Sequence, residues 1–162
     1  MELYLMQHGK ALSEAEDPAR SLSPEGRQEI EASAQAIKKM GLSFDLILSS
    51  NKTRARQTAE IVAQIIGYPV ENIKEHPEFK PLAPPEEAVK ILSQYQSYTR
   101  IFVAGHLPSL AEISSYLLGG KNKVKIHFEN GGLCRIDTNL NPGESELIYL
   151  LLPSQLQLIS RS

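Results

Sequence analysis

The chain has 162 residues, 41% hydrophobic and 22% charged, a composition that suits one folded domain and excludes a disordered chain. Its 17 Lys and Arg against 19 Asp and Glu give a formal net charge of -2, which excludes the basic surface needed for bulk binding to nucleic acid or an anionic membrane. One cysteine, Cys134, excludes an internal disulfide and a multi-cysteine metal site.

The apolar run Leu3-Tyr4-Leu5-Met6 predicts a buried strand that stops at Gln7-His8-Gly9. This start lacks the basic and apolar regions of a signal peptide, and no apolar run approaches the ~20 residues of a membrane span, so a cytoplasmic protein is expected. Ser23 as N-cap and Pro24 at the first helical position open a helix with an apolar stripe at Ile30, Ala34 and Ile37, closed near Gly41. Phe44 to Leu48 predicts a second strand, ending in Ser49-Ser50-Asn51. Ala55, Thr58, Ala59, Val62 and Ile66 mark a second helix that stops at Gly67.

A proline-rich loop and a helix near Glu86 to Tyr95 lead to a third strand, Ile101 to Ala104, which ends at Gly105-His106. Pro108 starts the next helix. Beyond Gly119-Gly120 the pattern predicts strands at Val124 to Phe128, Leu133 to Asp137 and Leu147 to Leu152, the last two joined as a hairpin through Asn139 to Gly143. The expectation is a three-layer α/β/α sandwich, its central sheet mostly parallel, with a C-terminal antiparallel hairpin at the edge. No repeat, low-complexity tract or linker divides the chain, so residues 1–162 are read as a single domain.

In an open α/β sheet the ligand crevice lies at the carboxyl ends of the strands. Three parallel strands ending at His8, Ser50 and His106 bring two histidines to one edge, with Arg54 in the first turn of the following helix. Arg20, in the loop before the first helix, folds toward the same crevice. His76 and His127 read as surface or edge-strand residues, and no histidine pair has metal-ligand spacing, so no metal or other cofactor is expected.

Met6-Gln7-His8-Gly9 resembles the R-H-G signature of the histidine phosphatase, or phosphoglycerate-mutase-like, superfamily. Ser50-Asn51-Lys52-Thr53-Arg54-Ala55-Arg56-Gln57-Thr58-Ala59 resembles its S-P-x-x-R-A-x-Q-T-A segment, and Gly105-His106 its second histidine. Arg20 to Gly26 and His106-Leu107-Pro108 are most similar to the SixA-type phosphohistidine phosphatases. The resemblance implies phosphoryl transfer through a phosphohistidine on His8. Arg54 and His106 would neutralise the phosphoryl oxygens, with Arg20, Gln7, Ser50 and Asn51 as further phosphate contacts. It implies that Gly9 offers its carbonyl to one His8 nitrogen.

Two departures shape the expectation. Gln7 stands where the family has arginine, and a lost charge-assisted hydrogen bond is worth roughly 1.5–3 kcal/mol, or about one to two powers of ten in rate. Arg56 is not expected to compensate, since two residues on a helix diverge by ~200°. The family's F-G-x-W-E-G continuation is also absent, which leaves Glu78 as the nearest candidate for a general acid. An alkoxide leaving group needs that acid, whereas imidazole, with a conjugate-acid pKa near 6.5, takes its proton from solvent.

The resulting expectation is a cofactor-free phosphatase acting on phosphohistidine in a partner protein of the histidine phosphotransfer type. The alternatives are a hydrolase for small phosphate esters and, because of Gln7, a non-catalytic phosphate-binding module.

Overall fold

The structure, a computed structural model, describes residues 1–162. β1 (Glu2–Gln7), β2 (Leu46–Ser49), β3 (Lys74–Glu75), β4 (Arg100–Gly105), β5 (Leu133–Asp137) and β6 (Glu146–Leu151) form one sheet in the order β3-β2-β4-β1-β5-β6. Neighbours from β3 to β1 run parallel; β5 pairs antiparallel with β1, and β6 antiparallel with β5 as the edge hairpin. The helices are α1 (Pro24–Lys39), α2 (Thr53–Ile66), α3 (Pro85–Ser93), α4 (Ser109–Gly119) and α5 (Pro153–Arg161).

The alternation of side chains along the strands separates two cores. Tyr4, Met6, Ile47 and Phe102 face α1, α2 and α5, whereas Leu3, Leu5, Leu48 and Val103 face α3 and α4. With both faces covered, β1 and β4 read as unbroken apolar runs, and the expected three-layer sandwich is what the chain forms.

Local chemistry sets the helix ends. Ser23 Oγ accepts the Gly26 amide at 3.0 Å, the N-cap bond expected for α1. Gly67, at φ +83°, closes α2 in the left-handed conformation. The loop before α1 folds back across its first turn: Lys10 O accepts both the amide and the hydroxyl of Ser23, at 2.9 and 3.2 Å.

Three expectations need correction. Residues 124–128 are extended but join no ladder. Phe128 is buried and Ile126 partly so, which produces a strand-like period of two without a paired neighbour. Phe44 lies before β2 rather than in it, with its ring 5.0 Å from Tyr4 and 5.1 Å from Phe102, while Asp45 accepts the Thr99 and Arg100 amides. The chain also has a strand and an α-helix beyond those expected. β3 is two exposed, charged residues with no apolar signal. α5 begins at Pro153 directly after an apolar strand and buries only Leu156 fully.

Candidate active site

The carboxyl ends of β1 and β4 lie side by side, with Gln7 in register with Gly105, so His8 and His106 emerge as neighbours. Their rings meet edge to face with centroids 4.9 Å apart. From the start of α2, Arg54 Nε donates to His8 Nε2 at 3.3 Å. The structure therefore brings together His8, Arg54 and His106.

The tautomer of His8 follows from its partners. Nδ1 lies 2.6 Å from the Gly9 carbonyl, an acceptor only, so Nδ1 carries the proton. Nε2 faces the Arg54 donor and keeps its lone pair. Burial, opposed by the Gly9 carbonyl and reinforced by Arg54 and Arg20, lowers the His8 pKa to about 4. His106 is 1% exposed, and burial, then its charged and ionisable neighbours, lower its pKa to about 3.

Both imidazoles are thus neutral at neutral pH, and linkage gives the sign of their effect on stability. Between about pH 6.5 and pH 3 the unfolded chain takes up protons that the folded one refuses. Their contribution is complete above pH 6.5 and is lost as pH falls through that window. Urea midpoints measured from pH 7.5 to pH 4 should fall in the wild type and fall less in His106→Asn; equal slopes would remove His106 as a source.

The residues around the trio act as a frame. Thr58 Oγ1 accepts the Gly9 amide at 3.1 Å and donates to the Arg54 carbonyl at 2.8 Å, tying β1 to α2. Gln57 Oε1 accepts the Leu22 amide at 2.8 Å, fixing the loop before α1. Ala55 and Ala59 are fully buried where larger side chains would have no room. In R-A-x-Q-T-A, therefore, Arg54 faces His8, and Ala55, Gln57, Thr58 and Ala59 hold helix, loop and strand together. Gly9 must stay small, since a Cβ there would lie 2.7 Å from Ile30 Cγ1.

Ser50 is fully buried and its Oγ lies 2.9 Å from His106 Nε2, so it contacts His106 rather than open space. That Oγ also accepts the Lys52 amide at 3.2 Å, which ties the start of α2 to the second histidine. His106 Nδ1 is buried without a partner. Arg20 sits at φ +52° with Nε donating to Leu12 O at 3.2 Å, close enough to depress the pKa values of both histidines and of Arg54.

The side chains of the remaining candidates make no hydrogen bond to this cluster. Gln7 has a buried, unpartnered Oε1 and lines a neighbouring cleft. Asn51 is exposed and contributes no hydrogen bond to the trio. Glu78 lies just past β3, its Oε2 buried and unpartnered, 3.9 Å from His76 Nδ1. His76 directly follows the edge strand β3 and is partly buried: it packs against Phe79 and Tyr95 and lies 2.9 Å from the Tyr95 hydroxyl. Arg56 turns away to Glu60 and to the carbonyls of Val70 and Ile73. No group of three His, Cys, Asp or Glu side chains is placed to hold a metal ion.

One residue of the frame escaped the sequence reading. Asn130 Nδ2 donates to the His8 carbonyl at 2.7 Å, and the adjacent Gly131 amide donates to the Gln7 carbonyl at 2.9 Å. An asparagine before two glycines has the signature of a turn, and nothing local distinguishes this one.

Residues 3–80 match the sequence model of the histidine phosphatase superfamily, branch 1. An uncharacterized protein of Picosynechococcus sp. is 31% identical over 142 residues, 82% of each chain. Among solved structures, the protein histidine phosphatase SixA complexed with tungstate is similar at TM-score 0.84 and 23% identity, over 96% of this chain and 99% of that one. The alpha-ribazole phosphatase of Shigella flexneri is similar at TM-score 0.73 and 18% identity, over 94% of this chain and 97% of that one.

Proposed function

This chain belongs to the histidine phosphatase superfamily, and from that premise we propose that it dephosphorylates phosphohistidine in a partner protein through a covalent adduct on His8. Membership supports phosphatase activity in general, and the likeness to SixA shows the fold. The observation that carries the reading is the state of His8: its Nδ1 proton is committed to Gly9, and its Nε2 lone pair lies beside the Arg54 guanidinium.

In the first step His8 Nε2 attacks phosphorus. The bond from phosphorus to the substrate imidazole breaks, and its electron pair leaves with that nitrogen, which takes a proton from solvent. In the second step water attacks the His8 adduct, releasing phosphate and restoring the neutral imidazole. Arg54 and His106 meet the equatorial oxygens, since catalysis of this transfer rests on positioning and electrostatics. Arg20 adds a second guanidinium at longer range. Gln7 supplies no permanent charge, so the pocket holds fewer cations than the R-H-G pattern implies.

The weak acid position favours a P–N bond over a P–O bond. Imidazole leaves as a group that water can protonate, and Glu78 has no partner pairing it with the trio. A phosphohistidine protein should be hydrolysed at least a hundredfold more efficiently than phosphate esters, judged by kcat/KM. A preference for esters would overturn the P–N assignment.

The second reading, a hydrolase for small phosphate esters, draws on the buried, unpartnered Oε2 of Glu78 beside His76. It requires Glu78→Gln to slow ester hydrolysis by about 100-fold or more. On the phosphohistidine reading the same variant retains P–N hydrolysis within about threefold.

A further inference from the structure

A cleft of about 480 Å³ opens beside the His8 site, and each of its near walls touches the trio's own backbone. Gln7 precedes His8, Leu107 follows His106, and Asn130 holds the His8 carbonyl. Its far wall is formed by Glu29 of α1, Glu129 and the first turns of α5. A second cleft of about 340 Å³ shares Glu29 and Gln157 with the first and continues along the α1–α5 seam past Glu25 and Gln28 to Arg161 at its far end. Together they make a track that leaves the phosphoryl site and runs across two helices.

The charge of the first cleft is opposite to that of the phosphoryl site. Arg54 and Arg20 serve His8 and His106, whereas the cleft lining contains two carboxylates and no lysine or arginine. Its unsatisfied buried atom, Gln7 Oε1, is also an acceptor. The first turn of α5 contributes only about half a positive charge against those two full negative ones. Along both clefts the carboxylates of Glu25, Glu29 and Glu129 outnumber the single guanidinium of Arg161, so the complementary occupant carries donors and positive charge.

We propose that this track seats a basic segment of the phosphorylated partner protein, with lysine or arginine side chains next to the phosphorylated residue facing Glu29 and Glu129. The proposal rests on the phosphoprotein reading above. An extended segment suits the geometry, because the track continues past the first cleft for the length of a second one. A small phosphorylated amine would leave that continuation unused. The selectivity comes from placing opposite fields side by side: the phosphoryl group is drawn to one and its basic neighbours to the other.

The test uses two peptides that carry the same non-hydrolysable phosphohistidine analogue, one flanked by lysines and one by glutamates, with Kd measured by fluorescence anisotropy. The wild type should bind the lysine peptide about tenfold more tightly, and the ratio should shrink as salt rises. In Glu29→Lys the ratio should fall to about one, with Glu29→Gln between the two. Because each ratio is taken within one protein, a partial loss of folding does not produce the trend. Equal affinities in the wild type, or an unchanged ratio in Glu29→Lys, would overturn the proposal. Turnover of matching phosphohistidine peptides is a separate readout: its absence would overturn the phosphatase reading, while the binding ratio would still decide the track.

Discussion

His8→Ala should lower turnover of a phosphohistidine substrate by roughly four to six powers of ten, the scale on which losing a covalent nucleophile acts. The variant removes the only imidazole whose proton is held by a neighbouring carbonyl and whose lone pair faces a guanidinium. Arg54 and His106 remain, so the variant should still bind inorganic phosphate, and that residual binding separates chemistry from collapse of the site. In the wild type, rapid acid-free quenching during turnover should trap phosphate on the protein that acid then releases; in His8→Ala the trapped phosphate should vanish. A turnover loss of less than tenfold would place the nucleophile elsewhere. Phosphate binding with no trapped adduct in the wild type would instead favour a binding module.

Gly26→Ala should cost about 3 kcal/mol of stability, lowering Tm by about 6–12 °C for a chain of this size. Helix propensity alone gives the opposite sign, since alanine exceeds glycine by about 1 kcal/mol in a helix interior. Packing decides the outcome. A Cβ on Gly26 would lie 2.1 Å from the Lys10 carbonyl oxygen, and that oxygen belongs to backbone that cannot rotate aside. The same oxygen accepts both Ser23 bonds, so displacing it loosens the α1 cap and the loop that carries Arg20. Thermal unfolding of the two proteins decides; a Tm equal to or above the wild type would show that the loop shifts freely.

The elements most legible in the sequence were those whose signal is local. The Ser23-Pro24 helix start, the Gly67 stop and the unbroken apolar strands each follow from a few adjacent residues. The grouping of His8, Ser50, Arg54 and His106 was also legible, because parallel strands must send their carboxyl ends to one edge. Less legible were features set by partners distant in sequence. Residues 124–128 have the period of a strand but no neighbour to pair with, and β3 exists only because Leu48 and Ser49 of β2 are there to receive it. Asn130 looks like any turn residue until the fold sets it against the His8 carbonyl. Gln7 is adjacent to His8 in sequence, but that its side chain also lines a cleft with Glu29 and Gln157 depends on helices far along the chain.

The backbone around His8 is held on every side by residues that come much later in the chain. Its amide bonds Gly105, its carbonyl receives Asn130, and the next amide bonds Thr58. A growing polypeptide therefore carries this histidine for more than a hundred residues of synthesis before its surroundings exist. Partial chains offer a solvated imidazole with an ordinary pKa and no neighbouring guanidinium, so reactivity is withheld until the long-range contacts close.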